Sequence, residues 1–357
     1  MANPKEIATL VVNGLTFEDW ETVWVQIRWA DAYSYFRFTA AERDPIFDLP
    51  GVVPNWTKLQ FKPGDRCKIL LAGQLAITGY IDTRQVAYDA HSHGVMLIGK
   101  SATAGPAKSS VDTVTGSFDG KNILQVAQEV LAPYPDVEVK PVGTLDLTPF
   151  EKLQNEKGEK IWDFLERIGR TRSVIMGSDA FGNWLLIGDH TKPVAGSLVE
   201  GDNIKSCHCT ITHEHAYNEL RVDGQKAASD ADSGTASSEM TATAPGVPEA
   251  PKSKLIIPSE QPVTQAELQT RANHEAKWII GTKISATIVV QGWLRDGENL
   301  WQAGDDVYVN SPMAMLDEVL KIQTVTFTQD DNGGTQTTLD VVDPKTFNDN
   351  LGINVGP

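Results

Sequence analysis

The ten residues SCHCTITHEH (206–215) carry two cysteines and three histidines, the side chains that most often bind zinc. If the stretch is extended, alternate side chains share a face. One face then holds Cys207, Cys209, Ile211, His213 and His215, and the other holds His208, Thr210, Thr212 and Glu214. A metal centre and a β-strand that happens to carry these residues are the two hypotheses.

The spacing favours the strand. Zinc sites usually take ligand pairs from turns, where the chain curls round the ion, whereas residues two apart along a flat strand lie roughly 6 to 7 Å from each other. A metallohydrolase would also need an open coordination position and a general base, and Glu214 would lie on the face opposite the cysteines. We therefore predict no metal, no other cofactor and no catalytic residue.

Composition limits the remaining classes. With 357 residues and 41% hydrophobic content, the chain can form two or three domains with real cores. Its formal net charge of -16 opposes the phosphate neutralisation on which nucleic-acid binding depends. Three cysteines, two of them separated by one residue, do not suggest a disulfide framework. Without a basic, apolar start or an apolar run of membrane-spanning length, we expect synthesis in the cytoplasm and no membrane insertion.

The elements that must position any site are mostly strands. Residues 6–40 and 58–100 contain alternating apolar runs separated by turn signals such as Pro63-Gly64-Asp65, as is typical of a small barrel. Residues 101–203 add helical periodicity behind a cap at Asp119 and again after Lys160, and predict an α+β domain. The fold class is therefore mainly β with α+β insertions.

The second half begins with strands and an insertion. We read residues 206–223 as extended up to the turn at Asp223-Gly224. Residues 226–254 are rich in Ala, Ser, Thr, Gly and Pro and predict a flexible linker. A capping box from Thr264 to Glu267 starts a helix that ends at Gly281, and Asn332-Gly333 predicts a tight hairpin near the end of the chain.

The two β regions repeat one pattern. FKPGDRCKI (61–69) aligns with WQAGDDVYV (301–309), TGYIDTRQVAYD with KIQTVTFTQDD, and GVMLIGKS with TQTTLDVVDP. One offset of about 240 residues serves all three matches. The chain is therefore predicted to contain the same small barrel twice.

This pattern gives a domain map. We predict a first barrel at 1–100, an α+β domain at 101–203, a second barrel at 204–225 and 281–345, an insertion with linker and helix at 226–280, and a C-terminal tail at 346–357.

Trp24 is the candidate interface residue. Val23, Val25, Ile27 and Trp29 alternate on what should be the core face of one strand. Trp24 and Arg28 lie on the other face, and both residue types are enriched at protein interfaces. An ordinary surface aromatic would give the same pattern, so the sequence leaves both explanations open. We take Trp24 and Arg28 as the candidate subunit interface.

The order of elements resembles the baseplate hub proteins of Mu-like contractile-tailed phages, which are related to late control D proteins and to the N-terminal part of type VI secretion spikes. The resemblance rests on the PGD turn, TGYID (78–82), GEKIWDFLERIGR with the hairpin SDAFGNWLLI, and YNELRVDGQ before a variable insertion. It covers roughly residues 5–345, and the Cys/His cluster is not part of it.

The resemblance implies an architectural virion protein rather than an enzyme. Hubs of this family are homotrimeric rings, and two barrels per chain would give a trimer six barrel positions. Such a ring would adapt a sixfold tail tube to a trimeric membrane-piercing spike in the tail baseplate. Its partners would be its own copies, the spike, tube proteins and other baseplate proteins, and the acidic charge suits a channel that genomic DNA passes without binding.

Two other classes fit parts of the sequence. A carbohydrate-binding or receptor-binding β protein would also be acidic and rich in tryptophan, but it gives no reason for a duplicated barrel. A monomer in solution would favour that class, and stoichiometric zinc would favour a metallohydrolase.

Overall fold

A computed structural model of the chain describes residues 6–42, 61–89, 93–190, 192–225, 240–260 and 263–347. The protein is mainly β, as the sequence predicts. The strands are β1 (Ala8–Val12), β2 (Leu15–Phe17), β3 (Thr22–Arg28), β4 (Tyr35–Glu42), β5 (Arg66–Leu71), β6 (Gln74–Tyr88), β7 (His93–Ser101), β8 (Val139–Val142), β9 (Ile175–Ser178), β10 (Trp184–Ile187), β11 (Val194–Val199), β12 (Ile204–Ile211), β13 (Glu219–Gly224), β14 (Met240–Pro245), β15 (Lys254–Pro258), β16 (Ile284–Gln291), β17 (Asp306–Ser311), β18 (Leu316–Asp330) and β19 (Gly334–Val342). The helices are α1 (Ala104–Lys108), α2 (Ile123–Leu131), α3 (Ile161–Arg170) and α4 (Gln265–Gly281), with a 3-10 turn at Pro344–Phe347.

The predicted repeat is confirmed by the strand order. The first unit runs β1-β5-β6-β7-β4-β3 and the second runs β11-β17-β18-β19-β16-β12, all in one large sheet. Corresponding strands match in length, with 6 residues in β5 and β17, 15 in β6 and β18, and 9 in β7 and β19. The long strand of each unit even shifts register at the same place, between Ile81 and Thr83 and between Ile322 and Thr324. The two β units are thus copies of one design.

The copies differ at their first strand. Strand β1 pairs antiparallel with β5, whereas β11 pairs parallel with β17. Because β11 belongs to the second unit, the predicted border of the middle domain at residue 203 is wrong for residues 194–199. Nothing in their alternation distinguishes a strand of one sheet from a strand of the next.

Local turn chemistry explains the hairpins. At the predicted Asn332-Gly333 turn, the Asp330 carboxylate accepts hydrogen bonds from both backbone N–H groups, at 2.8 and 2.6 Å. In the first unit, β5 and β6 are joined by Ala72 and Gly73 with φ of 50° and 75°, the left-handed pair that a two-residue hairpin requires.

The middle segment, between β7 and β11, forms its own core. Helices α1, α2 and α3 pack with the three-stranded sheet β8-β10-β9 around Phe118, Phe164 and Trp184, all fully buried. The cap of α2 is Asn122, not the predicted Asp119, because Asn122 and Gln125 form a reciprocal capping box. The Asp119 carboxylate instead accepts from the backbone N–H of Leu153 at 2.8 Å.

A second insertion separates β12 from β16. The sheet β14-β13-β15 packs under α4, which begins with the predicted Thr264–Glu267 capping box. Leu220 and Val222 on β13 and Leu268 and Ala272 on α4 are fully buried in this third core.

Two sequence assignments need correction here. Residues 219–224 were assigned to the second barrel, but β13 pairs with β14 and β15 and belongs to the insertion. Part of the predicted linker is strand β14, where Ala242 and Ala244 are 3% exposed because small side chains fit closely beneath the helix. Residues 226–239 of that linker lie outside the described residues.

Within the described ranges, no helix is long and apolar enough to cross a membrane.

Candidate subunit interface

The Cys/His segment is only partly a strand. Strand β12 ends at Ile211, and a turn in which Ala216 N–H donates to the His213 carbonyl follows at once. The predicted extended run to Asp223-Gly224 is therefore wrong, and His213 does not continue the line of the cysteines. Across the described ranges, no group of three or more His, Cys, Asp or Glu residues could hold a metal ion.

The two cysteines of β12 differ in environment. Cys207 is exposed, and Cys209 is half-buried against the main core. Partial burial raises the pKa of both thiols, and Glu318 raises that of Cys209 further. Raised pKa values keep these groups as neutral thiols at pH 7, although metal binding uses the thiolate.

Trp24 is held on the outer face of β3. Its ring lies beneath the Arg37 guanidinium, with 5.7 Å between the guanidinium carbon and the ring centroid. The next strand places Thr328 directly opposite Trp24. The ring is half-buried, so it packs on its own sheet and still presents part of its surface to solvent.

Arg28, at the end of the same strand, is tied into local contacts. Its guanidinium donates to Gln26 Oε1 at 2.9 Å and to Asp31 Oδ2 at 3.0 Å, and it stacks over the Tyr35 ring at 5.6 Å. Gln26 in turn donates from Nε2 to Thr326 Oγ1 at 3.1 Å. Trp24, Gln26 and Arg28 therefore form a polar and aromatic row along one seam.

That seam is the junction between the two units of the chain. Strand β3 pairs with β4 on one edge and with β18 on the other, in the register Val25 to Phe327. Strand β18 is long enough for two partners on this side, since residues 316–321 pair with β17 and residues 324–329 pair with β3. The edges of β3 are thus already used within one chain.

The junction is buried on its inner face. Val25 and Phe327 lie opposite each other and are both 0% exposed. Near one end, the buried Glu6 carboxylate of the first unit accepts from the backbone N–H groups of Trp293 and Leu294 in the second unit, at 2.7 and 3.2 Å. The two units are therefore joined by main-chain pairing, by apolar packing and by charge-assisted hydrogen bonds to the Glu6 carboxylate.

The sequence predicted Trp24 and Arg28 at a subunit interface, whereas the structure places their strand at the junction between the two units of one chain, with β18 as its partner. The available signal was the length of the second strand of each repeat, which is more than twice that of the strand before it. The contact joins different surfaces of two similar units, and a contact of that kind can be repeated from unit to unit.

Three family models match the chain. Residues 7–101 match the N-terminal domain of "Mu phage baseplate assembly protein GpP-like", residues 107–188 match the second domain of "Baseplate hub protein gp44-like", and residues 264–350 match the fourth domain of "Mu phage baseplate assembly protein GpP".

Whole-chain relatives agree with these models. Baseplate hub protein gp44 of Escherichia phage Mu is 24% identical over 344 residues, covering 92% of this chain and 86% of gp44. The 43 kDa tail protein of prophage MuSo2 from Shewanella oneidensis has the same fold, with a TM-score of 0.80, 24% identity, and 96% and 99% of the two chains covered. A tail protein from Neisseria meningitidis MC58 gives a TM-score of 0.79 at 18% identity, with 96% and 98% covered.

Proposed function

Because the chain belongs to the Mu-like baseplate hub proteins and is thus a structural protein of the phage tail, we propose that it works as a homotrimeric ring. The ring adapts a sixfold tail tube on one face to a trimeric membrane-piercing spike on the other. It has no catalytic role in this proposal.

One observation carries the proposal, the duplication of a six-strand order within the chain. Three chains with two equivalent units each supply six similar positions, and this number lets one threefold molecule meet a sixfold tube. The unit–unit contact is heterologous, so its repetition must either close into a ring or continue as a filament. Closure after three chains satisfies both symmetries.

The proposed ring also implies which partners contact the chain. The spike, the tube and other baseplate proteins are the proposed partners, and an acidic chain with a net charge of -16 suits a lumen through which genomic DNA passes without adhering. Trp24 and Arg28 are proposed as residues of a unit–unit interface, the one inside the chain.

Native mass spectrometry tests the ring. At concentrations well above micromolar, with no spike or tube protein present, we expect the mass of three chains. A mass of one or two chains under these conditions contradicts the proposal, and a stable monomer would support a carbohydrate-binding or receptor-binding β protein instead.

A further inference from the structure

The junction inside the chain has a duplicate set of surfaces that stay unpaired. In the repeat, β12 of the second unit corresponds to β3 of the first. The second half of β6 corresponds to residues 324–329 of β18, which pair with β3. In the described part of the chain, residues 206–211 of β12 pair only with β16, and residues 83–87 of β6 pair only with β7; Ile204, at the start of β12, also bridges Glu200. We propose that β12 of one chain pairs antiparallel with residues 83–87 of β6 in the next chain.

The equivalence can be followed residue by residue through the ladders. The matched register shifts of the two long strands align Thr83 with Thr324 and therefore Val86 with Phe327. Gly99 on β7 corresponds to Val341 on β19, because they pair with Ile81 and Ile322. Phe36 on β4 pairs with Gly99, and Ala286 on β16 pairs with Val341, so Phe36 corresponds to Ala286.

The correspondence between Phe36 and Ala286 also aligns β3 with β12. Val25 pairs with Phe36, and Cys209 pairs with Ala286, so Cys209 occupies the place of Val25. Within the chain Val25 lies opposite Phe327. The inferred register between chains therefore sets Val86 opposite Cys209.

The neighbouring pairs of this register follow from β3 and β18. They are Thr83 with Thr212, Arg84 with Ile211, Gln85 with Thr210, and Ala87 with His208.

Side-chain exposure agrees with this register. At the junction inside the chain, the inward pair Val25 and Phe327 is fully buried. At the corresponding strands of the other copy, the same face exposes 47% of Val86 and 41% of Ile211. Each of the two edges that the repeat brings together therefore exposes an apolar side chain, as expected for a surface covered by a partner.

The backbone of β12 is also suited to pair with a further strand. From Ser206 to Ile211, β12 has no proline, Lys, Arg or bulge, so this part of the strand lacks the usual devices that protect an exposed edge; Lys205 and a register shift lie only at its start. Such an edge is commonly satisfied by strand addition, in which main-chain hydrogen bonds supply affinity and alternate side chains supply specificity. On this proposal, the two cysteines of β12 lie on a strand that is partly buried between subunits.

One residue departs from the template. Arg84 stands where the second unit has the fully buried Val325, opposite Ile211 in the inferred register. Its aliphatic stem can cover Ile211 while the guanidinium reaches the rim of the contact.

This inference rests on the proposed trimer and names the contact that closes it. Directly opposed residues of an antiparallel pair have Cα atoms about 4.5 to 5.5 Å apart, within the range of a disulfide, whereas diagonal neighbours lie about 7 to 8 Å apart. A Val86→Cys variant should therefore form a disulfide with Cys209 of the neighbouring chain when oxidised. Each of the three contacts contributes one bond, and non-reducing electrophoresis should show a covalent trimer.

Three controls define the register. Val86→Cys with Cys209→Ser should lose the covalent trimer, and Val86→Cys with Cys207→Ser should keep it. Ala87→Cys, one residue along and on the opposite face, should give no covalent trimer, because its partner in the register is His208. Peptide mapping of the disulfide identifies the two positions joined.

A second measurement does not depend on oxidation. Val86→Asp places a carboxylate against Cys209 and should raise the concentration at which chains assemble by at least about tenfold. Because Val86 is 47% exposed in the single chain, circular dichroism should remain that of the wild type.

The outcomes separate the inference from the function on which it rests. A native trimer in which Val86→Cys forms no bond to Cys209 overturns the β12–β6 contact and leaves the ring proposal in place. A monomer well above micromolar concentration, with no disulfide in any variant, overturns both.

Discussion

A buried ion pair in the second unit allows a sharp test of what holds this unit together. Lys321 on β18 and Asp306 on β17 are register partners, with 2.8 Å between Nζ and Oδ1. Their side chains are 0% and 2% exposed. The ammonium also donates to the Gly304 carbonyl at 3.0 Å. Just beyond Lys321, the same strand begins its pairing with β3, so this pair supports the junction directly.

The perturbation is Lys321→Met, which keeps the length and the apolar stem and removes the charge. It leaves the Asp306 carboxylate buried without its cation, and breaking a buried pair in this way costs about 3 to 5 kcal/mol. With a urea m-value of about 3 kcal/mol/M, the midpoint of unfolding should fall by about 1 to 2 M.

The repeat supplies a matched control. In the first unit, Arg66 occupies the place of Asp306 and Tyr80 that of Lys321. Arg66 pairs with Asp136 at 3.0 Å, but the two side chains are 56% and 45% exposed. Exposed pairs contribute about 0 to 1 kcal/mol, so Arg66→Met should move the midpoint by less than about 0.3 M.

The assay is urea unfolding followed by tryptophan fluorescence. A double variant, Lys321→Met with Asp306→Leu, should recover most of the lost stability, because an apolar pair needs no counter-ion. Equal midpoints for Lys321→Met and Arg66→Met would refute the reasoning, and so would a double variant less stable than Lys321→Met alone.

Three further predictions concern the side chains of Trp24 and Cys67. Trp24→Ala removes a half-buried ring from the junction within the chain, so we expect a loss of about 1 to 2 kcal/mol in unfolding free energy with the trimer mass retained; dissociation to monomers would instead give Trp24 a role between chains. Burial raises the pKa of the Cys67 thiol from 9.0 to about 12, so Cys67 should resist maleimide at pH 8 until the protein unfolds, and rapid labelling of native protein would contradict its burial. Between pH 9.0 and about 12, the Cys67 thiol stays protonated in the folded chain and ionises in the unfolded chain. The unfolded chain therefore binds fewer protons, and the free energy of unfolding should fall by up to about 1.4 kcal/mol per pH unit. The variant Cys67→Val should lack this contribution.

The features that the sequence predicted correctly are those with local chemical signals. The hairpin at Asn332-Gly333 and the cap at Thr264 are decided within a few residues, and the structure has both. The repeat was visible because turns and strands recur at one offset. These signals were sufficient for the fold class and for two copies of a barrel.

The features that were missed depend on distant partners. Leu220 and Val222 alternate equally well for either sheet, and only packing against Leu268 on α4 assigns them to the insertion. The junction joins residues about 300 positions apart, and Val25 gives no sign that it will meet Phe327. The candidate site could be located on a strand by its alternation, but its partner strand could not.

Fusing two units in one chain changes how assembly depends on concentration. A ring of six separate units would form through five association steps, whereas three double units need only two. By mass action, a tenfold lower concentration of free chains would then lower the ratio of rings to free chains by about 10²-fold instead of 10⁵-fold. The junction between β3 and β18 forms as the chain folds, at the effective concentration of a tethered pair. In the proposed ring, three chains can therefore assemble at protein levels where six independent units would remain dispersed.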